Sequence, residues 1–555
     1  MKKSGICAIV ITLICLTVLL AGCVSQNSTP TASSGTGSAV PSGTGTGVTQ
    51  ADIVHLTGGD YGYPQPFSIS PRGPGSSKVT MIFDSLLERD EKGIIPWLAE
   101  SWEISADGKE YTFHLRKNVK WQDGVSFTAN DVKFTTDYER KYIPISGGIE
   151  TELIDSVQVI DDNTVKFILK TPVSSFLYKI SSFKIIPEHI YSKVEDPVKF
   201  LDKEAVTGTG PYTLAEYNKE HGSYRYVANE GFWGPRVAIK TVEFIPVSNE
   251  LIAFDQGEID FSSITPDILS KYLNNSQYRL VQQPAFWGYQ FYFNMKKNPE
   301  LQDVKVRQAF AYAINRSEMV EKIQRGAGAP GNLGILPNDH IWYNADQPAY
   351  VTDLIKAQAL LDQAGWKDTD GDGIRDKDGK KLAFTLSLAS TEVRIGELIK
   401  ERLKEAGIDI QVKALESKAR DTNLKKGDFE LLVSGFGGWG QDADYLRTRY
   451  SDDATQAGAS TVSGEASVIG YHNDTFNTLA ASEVQELDDA KRKQIVFEMQ
   501  NVLAEDIPTI PLFYTKTWDV WTVSKYDGWM NMYDHHARVH SKLTYLVREG
   551  IAAKR

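Results

Sequence analysis

Tyr111 to Arg116 alternate strictly, with Tyr111, Phe113 and Leu115 on one side and Thr112, His114 and Arg116 on the other. A period of two predicts a half-buried strand. Thr128 stands three residues before Asp131 at the start of the apolar positions Val132 and Phe134, which predicts a capped helix. Thr164–Leu169 alternates again, as does Gly288–Met295 with Tyr289, Phe291 and Phe293 on one side. Asp303–Arg325 is helical in pattern, and Asn315-Arg316-Ser317 divides it, because Asn and Ser favour caps over helix interiors. Leu354–Ala364 predicts a helix stopped by Gly365. Leu382–Leu388, Glu392–Ala406 and Ile408–Val412 read as strand, helix, strand, and Phe429–Phe436 as a further apolar strand. The second half is therefore expected to be α/β.

The N-terminal pattern differs. Lys2 and Lys3 precede an apolar run from Ile6 to Ala21 that ends in Leu20-Ala21-Gly22-Cys23. A positive start and a short apolar segment predict an export signal over 1–23. Residues 24–51, rich in Ser, Thr and Gly, are expected to form a tether, since they offer little apolar surface to bury. All three cysteines, Cys7, Cys15 and Cys23, lie in this leader, so the body has neither a disulfide nor a cysteine site. A chain of 555 residues needs more than one core. The net charge of −12 argues against nucleic acid as a partner.

Catalytic strings are missing: no Walker A, HExxH or GxSxG occurs. Gly326–Gly331, GAGAPG, has dinucleotide-type spacing but follows a helix, so it is rejected. Of the nine histidines only His535, His536 and His540 cluster, as metal ligands or as a surface tail. Asp368, Asp370, Asp372 and Asp376, with the Ile374 carbonyl and Gly373, follow the first nine positions of a calcium loop. The twelfth position is Gly379 where such loops carry Glu, so a structural calcium and a solvated acidic turn are both open. No other cofactor is expected. Tyr61 and Arg72 lie on a long loop, Thr57–Gly75, where Arg72 is a candidate clamp for a ligand carboxylate. Gly435–Tyr445, GFGGWGQDADY, leaves the end of an expected strand, where α/β folds tend to place ligands. There Gly438 is expected to let backbone approach a ligand and Trp439 to supply a flat wall. Asp442 and Asp444 supply charge.

PWLAESWE, YTFHLRKNVKWQDG and FTANDVKF, between Pro96 and Phe134, resemble the signature of the family 5 solute-binding proteins of ABC importers. Asp303–Arg316 resembles that family's DVRVRQAFAYAIDR, and Thr207–Tyr217 its return segment. Leu20–Cys23 resembles a lipobox, which implies lipidation at Cys23 and a body held at the outer face of the cytoplasmic membrane. The family implies a two-lobed, periplasmic-binding-protein-like α/β fold (type II, cluster C) with an additional inserted domain. Lobe I is then 52–81, 207–294 and 510–555; the inserted domain is 82–206; lobe II is 295–509. It further implies a monomer that closes by a hinge on a peptide-like solute and delivers it to an ABC permease and its ATPase. A nickel chelate or oligosaccharide on the same scaffold, and a sensor or extracellular enzyme, are the alternatives. Gly435–Tyr445 resembles the family's GW-x-x-D segment, without the Asp-Pro that usually follows, and Asp442 falls where an Asp pairs with a peptide amino terminus. Asp442 is therefore the expected anchor, with Asp444 left in solvent.

Overall fold

The computed structural model describes residues 48–70, 74–452, 464–530 and 537–547. Cys23, the leader, most of the tether, Arg72, His535 and His536 lie outside the described residues.

The first lobe holds a four-stranded sheet in the order Ala51–Thr57, Ile239–Ile245, Ser223–Ala228, Tyr212–Asn218; the first pair is parallel and the rest antiparallel. Beside it, Phe261–Ile264 and Tyr278–Gln282 flank Trp518–Thr522, all antiparallel. The inserted domain is an antiparallel sheet, Ala99–Ile104, Glu110–Leu115, Thr164–Leu169, Ile154–Asp161. Tyr111, Phe113 and Leu115 bury one face of it, as the alternation requires. Helix Ala129–Lys141 starts in a capping box: Thr128 accepts from Asn130 N, and Asp131 accepts from Thr128 N at 2.8 Å.

Asp84, fully buried, ties this domain to the first lobe. Its carboxylate accepts from Trp97 Nε1 (2.7 Å), Thr209 Oγ1 (2.8 Å) and Trp233 Nε1 (3.2 Å), and pairs with Lys542 Nζ (2.5 Å). Gly208 and Gly210, in the return segment Thr207–Tyr217, serve close approach. A Cβ on either would meet Ile82 O, at 1.9 and 2.5 Å.

The second lobe is built on a six-stranded mixed sheet in the order Gly328–Pro330, Thr509–Thr515, Trp287–Phe293, Leu431–Gly437, Ala383–Ala389, Asp409–Leu415. The strand–helix–strand unit is parallel, with helix Val393–Glu405 between its strands. The divided helix is also found: Val304–Ala313, then Arg316–Lys322 capped by the Asn315 side chain. Two strands correct the expected lobe edges. Trp287–Phe293 and Thr509–Thr515 fall mainly outside 295–509, yet both hydrogen-bond into the middle of this sheet and share its core. Their own sequences alternate no differently from first-lobe strands, so only the pairing assigns them.

Candidate functional site

The strand Leu431–Gly437 runs antiparallel to Trp287–Phe293, which puts Trp287 opposite Gly437 at the end where the glycine-rich loop begins. Gly435 and Gly437 are spent on this pairing. A Cβ at Gly435 would lie 2.3 Å from the Trp287 ring, and one at Gly437 would lie 2.4 Å from Phe286 O. Gly438 is different: φ is +70°, and no heavy atom lies within 4 Å of where a Cβ would stand. Only at Gly438 is the backbone open to a ligand in the way expected for the loop.

Trp439 is not the flat wall. It is 2% exposed, donates from Nε1 to Ala285 O (3.0 Å), and packs edge-on against Phe436 and Tyr514. The exposed indole at this end of the sheet is Trp287, 39% exposed. The sequence held a signal for it, since Gly435 and Gly437 alternate on a strand with nothing else to explain two missing side chains.

The loop is held from several sides. His340 Nε2 donates to Gly440 O (3.0 Å) while its Nδ1 accepts from Trp342 N (3.1 Å), which fixes a neutral Nε2–H imidazole. Burial agrees, lowering its pKa to about 4. Trp342 Nε1 donates to Gln441 O (3.0 Å), and Gln441 N donates to Tyr178 Oη of the inserted domain (3.3 Å).

Asp442 already has a partner. Arg492 grips it with both Nη atoms, at 3.0 and 2.5 Å, and donates from Nε to Glu483 Oε1 at 2.8 Å. Arg492 also lies 4.9 Å from the Trp342 ring. Asp444, expected in solvent, is 6% exposed and pairs with Lys179 Nζ (3.2 Å) and Arg447 Nε (2.5 Å). Burial alone would raise Asp444, but Lys179 and Arg447 hold it well below the ordinary carboxylate range. Glu483 is fully buried with no hydrogen-bond partner on Oε2, and burial pushes it up to about 7 although Arg492 pulls the other way. Lys179 belongs to the inserted domain, and so does Ser174, whose N and Oγ donate to Val484 O (2.7 Å) and Glu483 O (3.1 Å). Arg492 and Lys179 were invisible as partners, because each is distant in sequence, whereas Arg447 stands three residues after Asp444 on helix Asp444–Tyr450, a spacing that could have shown the pair.

Tyr61 is not brought to this loop. Its contacts are with first-lobe residues: its N donates to Tyr224 Oη (2.9 Å), and Lys78 Nζ lies 5.9 Å from its ring. Lys78 itself is fully buried with no hydrogen-bond partner on Nζ, 3.1 Å from the Phe244 ring centroid, and burial lowers its pKa strongly.

At the acidic loop, Asp368, Asp370 and Asp376 bring carboxylate oxygens within 4.8 Å of one another. Lys381 Nζ stands among the expected calcium ligands, 2.7 Å from Asp370, 3.0 Å from Asp372, 3.9 Å from Asp376 and 3.4 Å from Ile374 O. The oxygens converge as a cation site requires, around an ammonium of the chain itself. No described helix is long and apolar enough to cross a membrane.

A mixed sheet in each lobe, with a glycine-rich loop at a strand end of the second, defines the two-lobed α/β fold of solute-binding proteins. The chain belongs to the family described as bacterial extracellular solute-binding proteins, family 5, which it matches over residues 93–458. It is 30% identical to the dipeptide-binding protein of Escherichia coli over 404 residues, covering 66% of this chain and 72% of that protein. It is 28% identical to the oligopeptide-binding protein AppA of Bacillus subtilis, covering 83% and 86% respectively. Among solved structures, NikZ from Campylobacter jejuni in complex with Ni(L-His) superposes with a TM-score of 0.71 at 23% identity, covering 89% of this chain and 99% of that one. The signature stretch Pro96–Phe134 lies inside the matched region.

Proposed function

We propose that the protein captures a peptide-like solute outside the cell and passes it to an ABC import permease, binding without turnover. The observation that carries the proposal is the end of Leu431–Gly437. An exposed Trp287, an open backbone at Gly438 and the Asp442–Arg492 pair sit on one loop–strand junction, in a chain whose relatives bind dipeptides and oligopeptides. An aromatic wall with a few convergent polar groups suits a small solute. Hinge closure would remove water from it. An anchor through Cys23 would keep the body at the membrane, and lipid mass on that cysteine is the check.

A second proposal, a chelate or sugar ligand on the same scaffold, is favoured by one observation: Arg492 already satisfies Asp442, so a ligand ammonium would have to share that carboxylate. Calorimetry separates the two. A peptide ligand should bind saturably with a free amino terminus, lose at least about tenfold on N-acetylation, and weaken on Trp287→Ala. Absence of heat with any peptide of two to ten residues would remove the peptide proposal in favour of the second.

A further inference from the structure

Away from the glycine-rich loop, the second lobe carries a cavity of about 430 Å³ lined by segments 315–317, 330–333 and 343–352. Its size falls within the range of small-molecule pockets, roughly 300–1,000 Å³. Arg316 is in its wall and only 8% exposed. It is the one charged residue lining the cavity among the described residues; Asn315, Ser317, Tyr343, Gln347 and Thr352 bring neutral polar groups.

What sets Arg316 apart is what it lacks. The buried arginines elsewhere face acids: Arg492 has Asp442 and Glu483, Arg449 has Glu465, Arg420 has Glu392 and Arg538 has Asp519. Arg307 has no acid, but it donates five times to the carbonyls of Leu301, Gln302, Asp506 and Ile507. Arg316 donates twice, from Nη1 to Gly331 O at 2.7 Å and from Nη2 to Tyr350 O. A guanidinium has five N–H donors. Glu318, two residues on, pairs with Arg402 (2.7 Å), and Asp353 accepts from the amide of Lys356 (2.9 Å); among the described residues no carboxylate forms an ion pair with Arg316. Burial lowers Arg316 to about 10, which leaves it a cation at neutral pH. A buried cation with spare donors and no counter-charge is costly unless an anion joins it.

We propose that this cavity is a second binding site, for a small molecule carrying an oxyanion, carboxylate or phosphate, with Arg316 as its charged anchor. A planar guanidinium with free N–H groups matches either oxyanion in two-point contact. The site is separate from Trp287 and Asp442, so it stands whether or not the solute is a peptide.

The test is thermal melting of the full chain at ionic strength held constant with sodium chloride, with sodium phosphate in one arm and sodium succinate in the other. A saturable rise in Tm in either arm, above the chloride control, is expected, and the responding arm names the oxyanion. Ala349→Trp fills the mouth from an exposed lining position without touching Arg316 and should abolish the rise. Ala345→Trp does the same from a second exposed lining position, should the first variant fold poorly. Arg316→Lys should weaken the response at least about tenfold. Melting that tracks the chloride control in both arms, or a response that survives the folded plug variant, overturns the proposal and leaves Arg316 as a tie between Gly331 and Tyr350.

Discussion

Two acidic stretches of this protein look alike on paper. Asp368–Asp376 and Asp442–Asp444 both place aspartates at alternate positions beside glycines. In the fold they are opposites. The side chains of Asp370 and Asp372 remain 57% and 51% exposed around Lys381, itself 35% exposed. The side chains of Asp444 and Glu483 are 8% and 0% exposed, locked to Lys179, Arg447 and Arg492. Water screens the first set, and each ion pair there is worth little. In the second, every charge was taken out of water, and removing one partner strands another. Alternating carboxylates therefore identify neither a metal site nor a ligand anchor until their burial and their bases are known.

The largest expected effect is in the buried set. Arg492→Ala leaves Asp442 and Glu483 without their shared cation and should cost about 3–5 kcal/mol, read from the urea midpoint at constant m. Asp442→Ala is expected to cost stability as well as affinity, since it strips one of the two acids from Arg492. A loss below about 1 kcal/mol for Arg492→Ala would mean that the network behaves like the exposed one, and the contrast would fail.

A pH series sharpens the same contrast. Glu483 is raised from 4.5 to about 7, so between those values the folded state holds a proton that the unfolded state has released. Stability should then fall as pH rises through this window, by up to about 3 kcal/mol. Asp444 acts in the other sense, but its depressed pKa contributes stability that is lost only as pH falls below its ordinary 3.8, outside the window. Glu483→Gln should flatten the slope between pH 4.5 and 7. A slope unchanged in that variant would assign the titration to another group.

Periodicity carried the fold well. The strand Thr164–Leu169, the capping box at Thr128 and the break at Asn315 are local patterns, and local chemistry decides them. Lobe edges were not local: Trp287–Phe293 and Thr509–Thr515 join a sheet whose other strands lie far along the chain. The site was half legible. The place of the candidate loop, after Leu431–Gly437, followed from the strand and the glycines. Which tryptophan faces solvent did not, because Trp287 takes the exposed place expected of Trp439 through an antiparallel register that one sequence does not state. Nor did the ownership of Asp442, because Arg492 lies on a separate helix, Asp489–Asp506.

The smallest effect belongs to the exposed stretch. Lys381 Nζ already touches Asp370, Asp372 and the Ile374 carbonyl, oxygens that a calcium ion would need. A divalent ion could enter only by displacing this ammonium, and the loop's twelfth position, Gly379, offers no carboxylate to compensate. Chelator should therefore shift Tm by less than about 2 °C, and Asp370→Ala should do no more. Lys381→Ala removes the resident cation while leaving the oxygens. That variant should gain a calcium-dependent rise in Tm that the native protein lacks, because Asp368, Asp370 and Asp376 would then converge on nothing. A clear loss of Tm in the native protein on adding chelator would show instead that calcium outcompetes Lys381, and the two acidic stretches would be alike in needing a strong partner.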